Sequence, residues 1–90
     1  MDLTKRIKEK VKQKKVLLGY KTVMKFLKSG RPELIIYAND IPEEKKKTLD
    51  HNAEISNVKI QEYPNDGVNL GLVCGKPFPV SVLAMKRDKR

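Results

Sequence analysis

The sequence has little of the material from which enzymes and metal sites are built. Its 90 residues include one histidine, one cysteine and no tryptophan. A single cysteine cannot form a disulfide within the chain, and one of each ligand type is too few for a zinc site. His51 lies among charged residues, where it is expected to face solvent, and Cys74 lies in an apolar segment, where core packing is expected. The sequence therefore predicts no catalytic site, no metal site and no cofactor.

Segments that would bind nucleotides or enter a membrane are missing as well. The patterns GxGxxG and GxxxxGK[ST] do not occur. The longest apolar run covers only residues 34–38, whereas a membrane-spanning helix needs about 20 residues. The N-terminus is charged and has no apolar core of a signal peptide. Together with the single cysteine, these features favour a cytoplasmic protein without a membrane partner.

Positive charge, in contrast, is abundant and is concentrated at the two ends. The formal net charge is +9, from 20 basic and 11 acidic residues. Residues 1–15 carry seven basic and two acidic side chains, and residues 86–90 carry four and one. Residues 16–85 are nearly neutral, with nine basic and eight acidic side chains. Such an excess favours a polyanionic partner, although basic ends alone would also fit a non-specific attraction to phosphate.

Helical and strand patterns alternate along the chain. Leu3, Ile7 and Val11 recur at every fourth position, as on the apolar stripe of a helix that Asp2 would begin. The alternation predicts an α/β protein, a three-layer α/β/α sandwich with a small four-stranded mixed sheet. Periodicity does not give the strand order. The predicted elements are helix 2–14, strand 15–18, helix 20–29, strand 34–38, helix 43–56, strand 58–62, helix 68–74 and strand 80–85.

Particular residues mark the ends and the close contacts of these elements. Gly30 follows the second helix at the position where a left-handed cap is favoured. Asn65 or Asp66 is a candidate N-cap for the last helix. Gly71, inside that helix, indicates close packing of its backbone, because glycine otherwise weakens a helix by roughly 1 kcal/mol.

Three loops carry side chains that suit RNA. Lys21 opens the second helix with Lys25 one turn further on, Asn39 follows the second strand, and Phe78 precedes the last strand. Lysine can bond guanine O6 and N7, asparagine can bond base edges, and phenylalanine can stack on an unpaired base. If the first two strands are parallel, the loops that follow them lie at the same edge of the sheet. Each residue also has a simpler explanation, as a solvated lysine, a turn-forming asparagine or a phenylalanine that covers the core.

Four segments resemble the 30e family of large-subunit ribosomal proteins, which belongs to the superfamily of kink-turn RNA-binding ribosomal proteins. The segments occur in the family's order, and the similarity extends over about residues 11–85. Because the matches are collinear and fall at loops, they are more specific than any one of them alone. They are KVLLGYKT at residues 15–22, LIIYANDIP at 34–42, NLG at 69–71 and CGKPF at 74–78.

The resemblance implies a domain that binds a kink-turn, an RNA duplex bent sharply at a short bulge beside tandem sheared G·A pairs. It implies that the RNA approaches the backbone closely at Gly19 and that Lys21 contacts a guanine. Thr22 and Lys25 would contact neighbouring base or phosphate groups.

The resemblance also assigns roles to the second and third loops. Asn39 would bond a guanine, and Phe78 and Val80 would form an apolar surface against the extruded nucleotide. The expected partners are ribosomal RNA and neighbouring ribosomal proteins, in a cytoplasmic ribosome of archaeal type. Residues 1–90 would form one domain, monomeric when free, with a basic N-terminal helix and a basic C-terminal tail.

Two other hypotheses fit the same sequence. One is a kink-turn-binding component of a non-ribosomal ribonucleoprotein, such as a guide-RNA modification or RNA-processing particle. The other is an interaction domain that has lost RNA binding. The resemblance is imperfect at Asp40, which places a negative charge beside Asn39, and at Pro79, which stiffens the third loop. The basic residues 86–90 also stand where 30e relatives continue with a more acidic segment.

Overall fold

A computed structural model describes residues 3–87 as four helices that surround a four-stranded sheet. All eight predicted elements are present, with ends that differ by at most two residues. Asp2, predicted to begin the first helix, lies outside the described residues. The elements are α1 (Leu3–Lys12), β1 (Val16–Leu18), α2 (Tyr20–Ser29), β2 (Leu34–Tyr37), α3 (Glu43–Ile55), β3 (Ile60–Glu62), α4 (Gly67–Val73) and β4 (Val82–Met85).

The sheet is mixed, and its strand order is β1-β4-β2-β3. Strand β4 pairs antiparallel with both β1 and β2, whereas β2 and β3 are parallel. Strands β1, β2 and β3 therefore run in one direction and β4 runs in the other. We call the end where β1, β2 and β3 finish and β4 begins the carboxyl edge, and the other end the amino edge.

Helices cover both faces of the sheet, which confirms the predicted three-layer sandwich. On one face, Ile7 of α1 and Leu70 of α4 pack with Ile36. On the other face, Val23 of α2 and Leu49 of α3 belong to a second cluster, which contains Ile35 and Val82 of the sheet. Each such buried side chain contributes about 1.5–3 kcal/mol to the free energy of folding. The unbroken apolar run of β2 follows from this arrangement, because both of its faces are buried.

Helix α1 is fixed to the amino edge by charged side chains. The Nζ of Lys10 donates hydrogen bonds to Glu33 Oε1 at 3.1 Å and to the carbonyl oxygen of Lys86 at 3.0 Å. An Nη of Arg6 donates to Glu33 Oε2 at 2.8 Å. Lys10 is 8% exposed, so its charge is tolerated in the core because these oxygens replace water.

Two glycines, one at the end of α2 and one inside α4, lie close to neighbouring atoms. Gly30 ends α2 with φ −158° and ψ −173°, so the predicted left-handed cap is wrong. The chain leaves α2 in an extended conformation, and a Cβ at Gly30 would lie 3.0 Å from the ring of Phe26. The close packing expected at Gly71 is confirmed, because a Cβ there would collide with the carbonyl oxygen of Phe78.

Candidate RNA-binding interface

The loops that follow β1 and β2 meet at the start of β4. The N–H of Gly19 donates to the carbonyl oxygen of Val82 at 2.9 Å, and the N–H of Ala38 donates to that of Ser81 at 2.8 Å. The two acceptors are consecutive residues, so the first and second loops flank the same strand end. Since β1 and β2 are parallel, as the sequence argument required, Gly19 and Asn39 lie at one edge of the sheet.

A fourth loop, between β3 and α4, joins this edge and was not included in the sequence-based site. The N–H of Asn39 donates to the carbonyl oxygen of Asn65 at 2.9 Å. Asp40 Oδ1 accepts a hydrogen bond from the N–H of Gly67 at 3.0 Å. The carboxylate of Asp40 therefore lies at the first residue of α4 and holds the second loop against it.

The fourth loop is itself ordered by a helix cap. Asp66 is the N-cap of α4 and accepts from the N–H of Asn69 at 3.0 Å, as predicted for one of the two candidates. That hydrogen bond from the Asn69 backbone, joined by one from its side chain, lowers the pKa of the Asp66 carboxyl. The cap could be predicted from the sequence. The contact of the capped loop with Asn39 could not, because it depends on the pairing of β2 with β3.

Helix α2 presents its basic side chains to solvent. Lys21, Thr22 and Lys25 are exposed, whereas Val23 and Leu27 of the same helix are buried. The buried pair fixes the rotation of the helix, so Lys21 and Lys25 point away from the core. Both lysines lie within the first two turns, where the positive end of the helix dipole also favours an anionic ligand.

Gly19 begins this helix in a conformation that side chains rarely adopt. Its φ is +99°, and a Cβ built on it would approach no atom more closely than Thr22 Oγ1, at 3.9 Å. Glycine is therefore required here by the backbone and not by crowding within the protein. No side chain caps the start of α2, so the backbone beside Lys21 stays open to a ligand.

The third loop passes over Gly71 and exposes Phe78. The N–H of Lys76 donates to the carbonyl oxygen of Gly71 at 2.9 Å, and that of Val80 donates to Gly67 at 2.9 Å. These bonds fix both ends of the loop to α4, while the side chain of Phe78, between the two ends, remains outside the core. Phe78 is 51% exposed, so its ring is available to a partner.

A groove of about 270 Å³ separates the first loop from the third. Its wall includes Gly19 and Tyr20 on one side and Phe78 and Pro79 on the other. The groove is open and partly apolar, which suits a planar group that leaves an RNA stack.

Val80, the second apolar residue expected to face the nucleotide, is largely buried. Although it borders the groove, it is 2% exposed and belongs to the core cluster on the α1 and α4 side. Its contact with an extruded nucleotide stays a prediction. The backbone bond from Val80 to α4 turns the side chain inward, and Phe78 provides the exposed apolar surface of the loop.

Two lysines of α3 lie over tyrosine rings. Lys45 Nζ lies 5.3 Å from the centre of the Tyr20 ring, and Lys46 Nζ lies 5.6 Å from that of Tyr37. Such cation–π pairs contribute roughly 0.5–1 kcal/mol when exposed. Lys45 also lines the groove. It adds a positive charge to the site that sequence spacing could not reveal, since it depends on how α2 packs against α3.

Cys74 and His51 are the other reactive side chains considered from the sequence. Burial raises the pKa of the Cys74 thiol to about 11, so the thiol is a core group and a poor nucleophile near neutral pH. His51 is exposed, as expected. Among residues 3–87, no group of three or more His, Cys, Asp or Glu side chains is placed to hold a metal ion. Over the same residues, no helix has the length and apolar character to cross a membrane.

Comparison with protein families gives a match over the whole chain. Residues 1–90 match the model of the ribosomal protein L7Ae/L30e/S12e/Gadd45 family. Large ribosomal subunit protein eL30 of Methanocaldococcus jannaschii is 39% identical over 83 residues, which cover 92% of this chain and 76% of that protein. Protein eL30 of Methanothermobacter thermautotrophicus is 35% identical over 86 residues, which cover 96% and 88%. These relatives are named as ribosomal proteins and not as enzymes.

Solved structures share the fold at lower sequence identity. A Giardia lamblia 15.5kD RNA binding protein superposes with a TM-score of 0.87 at 23% identity, over 97% of this chain and 72% of that one. A Bacillus halodurans protein of unknown function gives a TM-score of 0.81 at 22% identity, over 90% and 80%. These superpositions confirm the α/β architecture predicted from the sequence.

Proposed function

Because the chain belongs to the ribosomal protein L7Ae/L30e/S12e/Gadd45 family, we propose that it is a structural RNA-binding protein of the large ribosomal subunit. In this proposal it is not an enzyme, acts on the ribosome in the cytoplasm, and recognises and stabilises a kink-turn in ribosomal RNA. The observation that carries the proposal is the convergence of the first and second loops on the start of β4. That convergence puts a lysine-bearing helix start and an exposed asparagine at one edge, and the groove between the first and third loops adds the exposed Phe78.

Each group at this edge has a distinct task in the proposed complex. The Lys21 ammonium donates to O6 and N7 of a guanine, and the Asn39 amide bonds the edge of another guanine. Gly19 lets the RNA approach the backbone of α2, because no side chain covers it. Thr22 and Lys25 contact neighbouring base or phosphate groups. A base-edge contact of this kind is worth about 1–3 kcal/mol of discrimination.

The third loop receives the nucleotide that the bend extrudes. The Phe78 ring lies at the mouth of the groove and stacks on the base, which contributes about 1–3 kcal/mol in single-stranded RNA sites. Pro79 stiffens the loop behind the ring, so less conformational freedom is lost on binding. Lys45, held over Tyr20, supplies positive charge on the opposite wall.

Asp40 has a structural explanation that is compatible with RNA binding. Its carboxylate accepts from the Gly67 N–H at the first residue of α4, where the helix dipole stabilises a negative charge. The charge is thereby directed towards the protein backbone and partly neutralised. This contact weakens the argument that Asp40 marks a domain which has lost RNA binding.

Residues 1–90 form the functional unit in this proposal, which acts as a monomer until it joins RNA and neighbouring ribosomal proteins. The basic α1 and the basic tail add contacts to phosphate that do not depend on sequence. Of the tail, only Lys86 and Arg87 are among the described residues, and residues 88–90 lie outside them.

Sequencing of RNA crosslinked to the protein in cells distinguishes the ribosomal role from the alternative particle. We expect large-subunit ribosomal RNA to dominate, with crosslinks concentrated at one kink-turn. The Asn39→Ala variant is the control, because it should lose that concentrated signal while non-specific crosslinks persist. Dominance of guide RNAs or of RNA-processing substrates would contradict the ribosomal assignment and support a non-ribosomal ribonucleoprotein.

A further inference from the structure

The amino edge of the sheet is much more basic than the carboxyl edge. Backbone bonds join the residues that form it, since the N–H of Lys86 donates to the carbonyl oxygen of Lys15 at 2.8 Å and Ile35 donates to that of Lys59 at 3.0 Å. Among the described residues that directly flank the strands at this end, Glu33 is the single acidic residue. The basic residues that flank the strands there are Lys14, Lys15, Arg31, Lys59, Lys86 and Arg87.

The carboxyl edge has a different balance of charge. The residues that meet there include the acidic Asp40 and Asp66 in addition to Lys21, Lys45 and Lys76. Although this edge carries the groups suited to bases, its excess of positive charge is smaller. Of the two edges, the amino edge therefore attracts phosphate more strongly, as far as the described residues show.

A cleft of about 340 Å³ opens at the amino edge, between α1 and the start of β3. Lys59 and Arg87 line it, and both are exposed. Glu33 also lines it, but each of its carboxylate oxygens already accepts from a cation, Arg6 at 2.8 Å and Lys10 at 3.1 Å. Within residues 3–87, the structure gives Lys59 and Arg87 no ion pair with a carboxylate. The cleft is thus a concave, polar surface with two basic side chains available to a ligand.

From this arrangement we propose that the amino edge is a second RNA-binding surface, which holds the phosphate backbone of a separate duplex segment. Lys59 and Arg87 bind phosphate oxygens there, and Arg suits this role because its guanidinium can donate two parallel hydrogen bonds. No aromatic side chain lines the cleft, so it engages the backbone and does not stack on bases.

The two surfaces lie at opposite ends of the sheet, so their charges are partly screened from each other. The strands of three or four residues that separate them are roughly 10–13 Å long, which exceeds the Debye length of about 8 Å at physiological salt. Charges at the amino edge therefore add little to affinity at the carboxyl edge through space, and they need phosphates of their own. The consequence is a protein that bridges two RNA segments, one read by its bases and one held by its backbone. The amino-edge surface goes beyond the proposed function and does not require it, whereas the bridging of two RNA segments rests on the proposed function.

The test is capture of a labelled plain RNA duplex by the full-length protein, measured over a range of salt concentrations. The double variant Lys59→Gln/Arg87→Gln is expected to weaken capture by about tenfold and to lower the slope of log K against log salt by about 1–2. Its affinity for a kink-turn RNA should fall by less than its affinity for the plain duplex, because the base contacts at the carboxyl edge are unchanged.

The charge-matched control is Lys5→Gln/Lys8→Gln, which removes two exposed charges from α1 that do not line the cleft. We expect this control to lose clearly less duplex affinity than Lys59→Gln/Arg87→Gln, because its lysines add only the general attraction of α1 for phosphate. Equal loss in both double variants, or no loss in either, would overturn the proposal, because the cleft would then be no better than any other basic surface.

A second comparison separates this inference from the proposed function. Capture of the plain duplex by a protein already bound to an immobilised kink-turn RNA would show both surfaces occupied together, and competition between the two RNAs would overturn bridging. The proposed function fails if the protein binds a kink-turn RNA no better than a plain duplex. The amino-edge surface still stands in that case if Lys59→Gln/Arg87→Gln lowers duplex affinity and Lys21→Ala does not.

Discussion

Replacement of Lys21 by alanine is expected to weaken binding of a kink-turn RNA by about 1–3 kcal/mol, which is roughly 5- to 150-fold in Kd. The reason is that Lys21 is exposed at the start of α2, beside an uncapped backbone, and loses a direct bond to a guanine. Stability should change little, because the side chain makes no buried contact. A fluorescence titration at fixed salt, with chemical denaturation of the same variant, measures both quantities.

The matched control for this prediction is Lys28→Ala. Lys28 is an exposed lysine of the same helix, seven residues further along, or about 10 Å from Lys21 along the axis. The Lys28→Ala substitution removes the same charge at the far end of α2, so it measures the part of the affinity loss that does not depend on RNA sequence. If Lys28→Ala costs as much affinity as Lys21→Ala, the contact to guanine assigned to Lys21 is wrong and α2 attracts RNA only through its charge.

Replacement of Gly71 by alanine is expected to have the largest effect on stability, with a loss of roughly 2–3 kcal/mol. The new methyl group would collide with the carbonyl oxygen of Phe78, which is backbone and cannot rotate away. The third loop must then move off α4, and with it the Phe78 ring that borders the groove. Affinity for a kink-turn RNA should therefore fall together with the midpoint of urea unfolding.

Gly75→Ala provides the comparison, because Gly75 belongs to the same loop and has no neighbour within 4 Å of an added Cβ. Its cost arises only from a φ of +73° and should be about 1–2 kcal/mol. A Gly71→Ala variant that is no less stable than Gly75→Ala would contradict the close packing of the third loop on α4. Retained kink-turn affinity in Gly71→Ala would show that the position of Phe78 does not matter to RNA binding.

The sequence predicted the elements well where the local pattern and the packing agree. Helix α2 was predicted with its observed bounds because Gly19 and Gly30 enclose it and its apolar and basic faces are distinct. The uninterrupted apolar run of β2 predicted a strand buried on both faces, and the structure confirms it. Alternation of helices with strands was then sufficient to predict the three layers.

Features that depend on contacts between distant segments could not be predicted in the same way. The strand order, with β4 between β1 and β2, follows from packing that periodicity does not encode. Val80 was expected at the surface, but its backbone bond to Gly67 turns it into the core. The position of Lys45 over Tyr20 depends on how two helices pack, so it appeared in the sequence only as part of a charged run.

The site residues could be predicted only in part from the sequence. Residue types and spacing alone allowed ordinary structural explanations for Lys21, Asn39 and Phe78, and the family resemblance assigned them contacts with RNA. The structure adds that the loops which carry them share one edge, through bonds from Gly19 and Ala38 to the start of β4. Their contacts with RNA remain predictions.

Recognition of a kink-turn is tested by titration of the protein with a labelled kink-turn RNA and with a control RNA whose G·A pairs are replaced by Watson–Crick pairs. Both titrations should be made near physiological salt, where non-specific binding is weak. We expect tight binding of the kink-turn and affinity for the control that is lower by at least about 2–3 orders of magnitude, near the lower end of the ratio typical of specific nucleic-acid recognition. Equal, weak binding of both RNAs would contradict this recognition and would leave the basic surfaces as the whole source of RNA affinity.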